Sequence, residues 1–245
     1  MTKKIAGVAA AIVLALTPAT ITPEAQAQGG FVQQGDRVYH KQGDGMMLGC
    51  TVGYVDKWKR TFTFAGHCST NPDGNVYGSN PDGSVAGYIG TVIHNPHDGY
   101  GAHNDLAHVA VADGVAIGDN IYSGDVWIAP HQVRLGEPIC TYGASSKRVK
   151  CGRFTSRSGM NVLVSSVTYD NEVVSGDSGG PAWIPGRGLV GVNHGVYPGH
   201  NVHTYPDINY GRIVVPSPVD IKKQVEDSIN EFISVNGLPI APVRI

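Results

Sequence analysis

Residues 175–181 read SGDSGGP, with Ser178 between glycines and Asp177 directly before it. Glycine beside a serine lets the backbone take conformations that other residues avoid and lets a second molecule approach closely. A serine hydroxyl is a poor nucleophile by itself and needs a histidine base and a carboxylate that orients the base. The stretch therefore makes Ser178 a candidate nucleophile, provided that the chain supplies both partners.

The order of residues along the chain separates two classes of hydrolase. The α/β-hydrolases, which include lipases and esterases, also carry a G-x-S-x-G pattern, and their chain order is serine, acid, histidine. Several histidines follow Ser178, but all of them precede every later acid, and no histidine follows Asp207. That order cannot be built from this chain, whereas the order histidine, aspartate, serine can.

The best candidate for the base is His67, in residues 63–68, which read TFAGHC. The alternative interpretation of His67 is a hydrogen-bonded core histidine. The best candidate for the orienting acid is Asp105, because it directly precedes an alternating run that is typical of a strand. Asp98 and Asp113 compete with it, but both stand next to glycine in turn-like segments, where acids are typically solvated.

Four cysteines, Cys50, Cys68, Cys140 and Cys151, indicate two disulfides in a secreted chain. Four cysteines allow three pairings. The spacing favours the local pairs, Cys50 with Cys68 and Cys140 with Cys151. A zinc site built from all four thiolates is the alternative, but neither pair has the C-x2-C spacing of such sites.

The first 27 residues have the layout of a secretory signal peptide. Lys3 and Lys4 precede an apolar run over 5–16, and residues 25–27 read AQA, a small-x-small cleavage pattern. The apolar run is too short to span a bilayer. We expect a freely secreted protein whose mature chain begins near Gln28. The net charge of −2 favours neither nucleic acid nor an anionic membrane as a partner.

Composition and patterning predict an all-β protein. The chain holds 33 glycines, and turn signals such as NPDG at 71–74 and 80–83 separate short runs rich in β-branched and aromatic residues. Many short strands with frequent turns favour a sandwich or a barrel. Residues 217–236 are the exception, because an SPVD start and the spacing of apolar residues predict a helix that packs on its own domain. The predicted strands cover residues 48–55, 60–65, 85–94, 106–111, 161–169 and 189–192.

These motifs resemble the chymotrypsin-like (trypsin-like, S1) serine endopeptidases, above all the secreted bacterial branch that includes streptogrisin and α-lytic protease. The resemblance implies two six-stranded antiparallel β-barrels with a C-terminal α-helix and an active site between the barrels. It implies hydrolysis of peptide bonds through a triad of His67, Asp105 and Ser178 and through an acyl-enzyme. The implied layout is a signal peptide over 1–27, a short segment over 28–34, a peptidase domain over 35–216 with barrels at about 35–124 and 125–216, the helix over 217–236 and a tail over 237–245.

The resemblance also implies how a substrate would be held. The backbone N–H groups of Gly176 and Ser178 would form an oxyanion hole. The segment Asn193, His194 and Gly195 would pair with the substrate strand. Polypeptides would be the substrates and protein protease inhibitors would be further partners, the protein would be a monomer, and no cofactor or metal would be needed.

Substrate preference has two competing hypotheses. Glu172 stands six residues before Ser178, where trypsin-like enzymes keep the base of the specificity pocket, which predicts a preference for Arg or Lys. The alternative is an exposed loop acid, because no cysteine braces residues 171–175. His194 and Ser175 support the competing hypothesis, recognition of acidic side chains.

The chain departs from the family around Asp177. No Ile-Val-Gly-Gly start is present that could supply a new amino terminus to this aspartate. The bacterial branch often uses an internal arginine instead, just after the cysteine at the position of Cys140, but Thr141 stands there. We expect Arg134 or Arg148 to supply the missing positive charge.

Two other functions and one metal site compete with a peptidase. A protease-like binding or adhesion protein would usually lack one member of the triad, and this chain has a candidate for each member. An esterase would share the acyl chemistry, so the sequence does not separate it from a peptidase. A metal site among His94, His97, His103 and His108 is disfavoured because these histidines lack a regular spacing on one strand face or helix turn.

Overall fold

The computed structural model describes residues 30–69, 74–95, 105–158 and 162–205. The predicted signal peptide, the predicted helix over 217–236 and the tail over 237–245 lie outside these ranges.

Short 3-10 turns lie at Gly66–Cys68, Pro130–Gln132 and Tyr169–Asn171. The strands of the first half are β1 (Phe31–Val32), β2 (Arg37–Lys41), β3 (Met47–Thr51), β4 (Tyr54–Asp56), β5 (Thr61–Phe64), β6 (Asn75–Ser79), β7 (Val85–His94), β8 (Ala107–Val111) and β9 (Ala116–Ile117). Those of the second half are β10 (Pro138–Gly143), β11 (Arg148–Ser158), β12 (Val162–Ser166), β13 (Pro181–Ile184), β14 (Gly188–Tyr197) and β15 (His200–Thr204).

The first half is an antiparallel sheet with the strand order β3, β2, β6, β7, β8, β5, β4. Its two edge strands, β3 and β4, are separated in the chain only by Val52 and Gly53. The chain itself therefore joins the two edges of the sheet. When β3 and β4 are taken as one bent strand, the sheet has six strands and forms a half-barrel.

The second half is a closed antiparallel barrel with the order β10, β11, β12, β15, β14, β13. Closure leaves the barrel without a free edge, which suits short strands in an aqueous environment. The predicted all-β architecture in two antiparallel halves is confirmed for the described residues, with a half-barrel in the first half and a closed barrel in the second.

Local sequence explains where individual strands begin and end. β7 has the bounds predicted for it, because the NPDG turn before it closes with a hydrogen bond from the Gly83 N–H to the Asn80 carbonyl at 2.9 Å. In β5 all four residues, TFTF, are buried, as expected for a run of β-branched and aromatic residues in a barrel core. β14 runs beyond the predicted end at residue 192, because its polar residues 193 and 194 break the apolar pattern without ending the strand.

Each barrel has its own core. Phe62 and Phe64 pack with valines from the surrounding strands in the first, and Ile139, Leu163 and Ile184 lie at the centre of the second. The disulfides join Cys50 to Cys68 and Cys140 to Cys151, the local pairs that the spacing favours. No helix within the described ranges is long and apolar enough to cross a membrane.

Candidate active site

His67 lies in the 3-10 turn Gly66–Cys68, which follows β5. The Cys50–Cys68 disulfide ties this turn to β3, and the Asn95 amide braces it through two hydrogen bonds to backbone carbonyls. The His67 side chain is 32% exposed, so substrate can reach its ring. The disulfide-linked turn thus holds the His67 imidazole at the surface.

Asp105 lies just before β8, and its side chain is fully buried. Its Oδ1 accepts the backbone N–H of His67 at 2.6 Å, and its Oδ2 lies 2.7 Å from His67 Nδ1. A carboxylate only accepts hydrogen bonds, so His67 Nδ1 carries the proton and Nε2 is left as an acceptor. The structure brings the predicted base and the predicted acid together in this way, whereas the competing Asp113 is exposed and Asp98 lies outside the described residues.

The environment of Asp105 keeps its carboxylate charged. Burial raises the pKa of Asp105, but hydrogen bonds from His194 and His67 lower it by more, together with the charge on these rings. The net result is a pKa well below the usual range of an aspartate. The carboxylate is therefore available as an acceptor across the neutral pH range.

His194 contacts Asp105 as well, which the sequence did not indicate. Its Nδ1 lies 2.5 Å from Asp105 Oδ2, the same oxygen that His67 engages. The sequence assigned His194 to the substrate-binding segment, and the structure adds a contact with the orienting acid. The only signal in the sequence was the presence of a histidine where a strand was expected to end.

Ser178 lies in the loop that precedes β13. Gly176 and Gly179 in this loop both have φ +85°, a left-handed conformation that glycine adopts without strain. Asp177, Gly179 and Gly180 each donate their N–H to a backbone carbonyl. The N–H groups of Gly176 and Ser178 donate to no protein acceptor within the described residues. The loop thus holds two open donors at the positions predicted for an oxyanion hole.

Asp177 is held by a buried lysine. Lys150 Nζ lies 2.9 Å from Asp177 Oδ2, both side chains are about 1% exposed, and the same Nζ donates to the Glu172 carbonyl at 2.7 Å. Burial raises the pKa of Asp177, but the hydrogen bonds from Lys150 and from the backbone N–H groups of Ser146 and Val174 lower it below its usual value. The loop around the candidate nucleophile is therefore anchored by an ion pair inside the second barrel.

The expectation that Arg134 or Arg148 would neutralise Asp177 is wrong, because both arginines are exposed and Lys150 occupies the place. Lys150 on β11 lies directly opposite Thr141 on β10. Side chains directly opposite each other on antiparallel strands share a face of the sheet. The positive charge missing at position 141 is thus supplied from the neighbouring strand.

Thr51, at the end of β3, ties the first barrel to the loop around Ser178. Its N–H donates to the Ser178 carbonyl at 2.8 Å, and its hydroxyl donates to the Gly176 carbonyl at 2.8 Å. A Cβ atom on Gly179 would lie 2.7 Å from the backbone N of Ala65, so this loop packs directly against the end of β5. These contacts bring the loop of the candidate nucleophile beside the turn of the candidate base.

Asn193 and Gly195, both predicted to pair with substrate, differ in their surroundings. Asn193 is fully buried, and its Nδ2 donates to the carbonyls of Tyr142 and Asp177, at 3.3 Å each. Its own carbonyl accepts the Gly179 N–H at 2.8 Å, so this residue supports the loop around the candidate nucleophile. Gly195 is half-buried and faces open space, since no atom lies within 4 Å of where its Cβ would be.

The two residues proposed for specificity also differ. Glu172 is half-buried, and its Oε1 accepts the N–H of Gly199, in the turn between β14 and β15, at 2.7 Å. Ser175 is exposed. Glu172 is therefore not simply a solvated loop acid, although one of its carboxylate oxygens is engaged by the backbone.

The ring nitrogens of His67 and His194 and a carboxylate oxygen of Asp105 all lie within 4.8 Å of one another, as the ligands of one metal ion would. Two ligands on a tetrahedral zinc ion stand about 3.4 Å apart, given bonds of about 2.1 Å. Both nitrogen to oxygen distances here are shorter, 2.7 and 2.5 Å, and are hydrogen-bond lengths. Cys50 and Cys68 near His67 are disulfide-bonded and offer no thiolate. The geometry fits shared protons better than a metal ion.

Of the histidines considered as a metal cluster, two lie outside the described residues. His108 is buried on β8, and His97 and His103 lie outside the described residues. The expectation that these histidines form no metal site stays a prediction.

Comparison with solved structures places this arrangement in a known fold. One similar structure is a glutamic acid specific serine protease that uses a histidine triad in substrate binding, with TM-score 0.50, 20% sequence identity, and coverage of 84% of this chain and 98% of that chain. This chain has the chymotrypsin-like fold. At this level of identity the likeness concerns the fold alone.

Two further structures are similar at lower TM-scores. The serine endoprotease from Yersinia pestis gives TM-score 0.47 and 15% identity, with 69% of this chain and 57% of that chain covered. The serine protease of human pathogenic astrovirus gives TM-score 0.45 and 12% identity, with 72% and 92% covered. No protein-family model and no curated protein matches the sequence.

Proposed function

We propose that this chain is a secreted serine endopeptidase that cleaves peptide bonds through His67, Asp105 and Ser178. The observation that carries the proposal is the double contact of the buried Asp105 carboxylate with the backbone and the ring of His67, at 2.6 and 2.7 Å. Because the carboxylate holds Nδ1–H, Nε2 is the basic nitrogen. The proximity of the Ser178 loop to this turn supports the same assignment.

In the proposed reaction the Ser178 hydroxyl attacks the peptide carbonyl while His67 Nε2 takes its proton. The tetrahedral intermediate collapses as the imidazolium returns that proton to the leaving amine, which gives an acyl-enzyme. Water then attacks the ester with the same histidine as base, and Ser178 recovers its proton. Asp105 stabilises the imidazolium in both halves of the reaction.

The open N–H groups of Gly176 and Ser178 would bind the oxyanion of the tetrahedral intermediate. A donor of this kind contributes on the order of 3 kcal/mol to transition-state stabilisation. Its value depends on being held in place before reaction, and the buried pair of Lys150 with Asp177 supplies such support inside the protein. We therefore propose that the loop is competent without a newly formed amino terminus.

Secretion is part of the proposal. Disulfides form and persist in oxidising compartments and are rare in the cytosol. Both cysteine pairs are bonded within the described residues, which agrees with the signal-peptide pattern at the start of the sequence. We further propose a monomer related to the streptogrisin and α-lytic branch, with polypeptide substrates and protein inhibitors as its partners.

For substrate preference we propose cleavage after Arg or Lys. Glu172 is half-buried and has one carboxylate oxygen engaged by the Gly199 N–H, so the other oxygen can face a cation. The competing hypothesis, recognition of acidic side chains by His194, is weakened because Nδ1 of that ring is bound to Asp105. Acid specificity is the property of the similar protease, and it is the outcome that would reverse this choice.

Labelling with a fluorophosphonate tests the proposed nucleophile. We expect stoichiometric labelling of the wild type, followed by mass spectrometry, with the label on Ser178 and none in Ser178→Ala. Ser166→Ala is the matched control, because this serine is exposed on β12 and should keep full labelling. Correctly folded wild type that takes up no label would refute the proposal.

Hydrolysis of an unfolded polypeptide separates a peptidase from an esterase. We expect new amino termini to appear with the wild type and with Ser166→Ala, and none with Ser178→Ala. Cleavage of activated esters with no release of amino termini would contradict an endopeptidase and support an esterase that uses the same residues.

A further inference from the structure

His194 and His67 share one oxygen of a buried carboxylate. Their Nδ1 atoms lie 2.5 and 2.7 Å from Asp105 Oδ2, and the two rings stand nearly perpendicular with centroids 6.0 Å apart. The side chains of His67 and His194 are 32% and 21% exposed, while that of Asp105 is 0% exposed. Two partly exposed rings thus compete for one acceptor that water does not reach.

A β-bulge brings His194 to this position. In the ladder between β14 and β15, Asn193 pairs with His203 and Gly195 pairs with Val202, which leaves His194 as the extra residue. A bulge redirects the side chain of its extra residue and is common beside functional sites. Because Asn193 also bonds the Ser178 loop, the bulge links that loop to the acid of the first barrel.

His194 and His67 both donate hydrogen bonds to the Asp105 carboxylate. Asp105 is ionised, so each ring donates its Nδ1–H to Oδ2. With the His67 backbone N–H on Oδ1, the carboxylate has donors on both oxygens and cannot rotate without losing them. Without the hydrogen bond from His194, Oδ2 of Asp105 would be a stronger acceptor and would stabilise a protonated His67 more.

We propose that His194 is a positioning residue of the active site: it fixes the Asp105 carboxylate and moderates the basicity of His67. This inference rests on the proposed peptidase function. It assigns His194 to the acid that orients the base, not to the pocket that binds the substrate side chain.

The groups that act on His194 are few within the described residues. Asp105 and His67 face it from the first barrel, and His203 lies near it on β15, where burial lowers the pKa of His203 to about 3 and the charge of His194 adds to this effect. His203 is therefore neutral over the range in which a histidine base titrates. The pH response of the pair then depends on two imidazoles around one carboxylate.

His194→Leu removes the donor and His194→Asn keeps it, because the Asn Nδ2 stands where the ring has Nδ1. Without a competing ring, Asp105 favours protonated His67 more strongly, so the acid limb of kcat/KM moves to higher pH. We expect a shift of about 0.5 to 1 pH unit for the leucine variant, with kcat about tenfold lower and KM within about twofold. The asparagine variant should recover most of kcat and show a smaller shift.

Several outcomes would overturn the inference. A leucine variant with an unmoved acid limb and unchanged kcat removes any positioning role. Equal losses in the leucine and asparagine variants would mean that packing, not the hydrogen bond, matters. A change in KM alone would assign His194 to substrate binding, and loss of all labelling in His194→Asn would make it the base.

A measurement without catalysis keeps this test separate from the proposed function. In proton NMR of protein labelled with 15N-histidine, we expect two strongly downfield Nδ1–H signals from rings bound to a carboxylate. His194→Asn should remove one signal and leave that of His67, whereas a spectrum with only the His67 signal in the wild type contradicts the inference. Inactive protein with both signals would refute the peptidase proposal while leaving the shared acid in place. Thermal unfolding of each variant checks that it is folded.

Discussion

Two buried aspartates with lowered pKa values lie beside the candidate active site, and their partners make them different. Asp105 in the first half is held by two imidazoles and a backbone N–H, whereas Asp177 in the second half is held by Lys150 and backbone N–H groups. Imidazoles change charge near neutral pH, and a lysine does not. The first acid is therefore suited to chemistry in which charge moves, and the second to holding a loop in place.

The strongest test of this comparison is Asp105→Asn. The amide has one acceptor oxygen, so it cannot accept both the backbone N–H of His67 and the two rings, and its NH2 group facing the rings would favour the wrong tautomer of His67. We expect kcat to fall by about 10⁴-fold, as for a triad that keeps its geometry and loses its acid. Rates on a fluorogenic peptide measure the effect. Asp113→Asn, at the exposed acid that competes in sequence, should retain full activity, and a similar loss in both variants would contradict the assignment.

Lys150→Met tests the other acid. The variant leaves Asp177 buried without its charged partner, and breaking a buried pair in this way typically costs about 3 to 5 kcal/mol. We expect a loss of this size in the free energy of unfolding, measured by urea denaturation, and slower labelling of Ser178 in the molecules that remain folded. Arg148→Met is the matched control on the same strand, because that side chain is exposed and should unfold like the wild type.

The pH dependence of stability separates the two aspartates from His203, a buried side chain that forms no ion pair within the described residues. Burial lowers the pKa of His203 from 6.5 to about 3, so between these values the unfolded chain binds a proton that the folded protein does not. Stability from this group is complete above about pH 6.5 and is lost as the pH falls toward 3, by up to about 1.4 kcal/mol per pH unit. Both aspartates have lowered pKa values, so their loss begins only below about pH 4.

Urea denaturation at pH 7 and pH 5 isolates the histidine. We expect the difference between the two free energies of unfolding to shrink in His203→Leu. His200→Leu, at the half-buried first residue of the same strand, should keep the wild-type difference. An unchanged difference in both variants would show that the buried ring does not titrate in this range.

The smallest expected effect concerns the residue before the scissile bond. On fluorogenic peptides with Arg, Lys, Glu, Phe or Ala at this position, we expect the highest kcat/KM for Arg and Lys. Glu172→Gln should lower those two values by about tenfold, since about 1.4 kcal/mol of charge interaction is lost, and leave the others unchanged. Asp170→Asn, at an exposed acid nearby, serves as control. Preference for Glu, or equal rates on all five, would reject the basic preference.

Short sequence motifs predicted correctly those features that depend on a few neighbouring residues. The strand at 85–94 and the turn before it follow from one NPDG signal, and Asp105 was found because it precedes an alternating strand. The local cysteine pairs likewise reflect neighbouring segments.

The parts that sequence reasoning missed depend on pairing between distant strands. Lys150 takes the place of an arginine expected near position 141, because it lies opposite Thr141 on the neighbouring strand. The register of two paired strands cannot be predicted from either strand alone. The contact of His194 with Asp105 depends on a bulge that appears only when β14 pairs with β15. Arg134 and Arg148 are exposed, which rules them out as partners of the buried Asp177.

Thr51 makes the second barrel depend on the first. Its two hydrogen bonds hold the backbone on either side of Asp177, yet it belongs to the other half of the chain. A fragment that holds only β10 to β15 would close its own barrel and keep the Lys150 pair, but the Ser178 loop would lack one wall. Activity should return only when both fragments associate, because the first half also carries His67 and Asp105, and a first half with Thr51→Val would show how much of that recovery depends on this threonine.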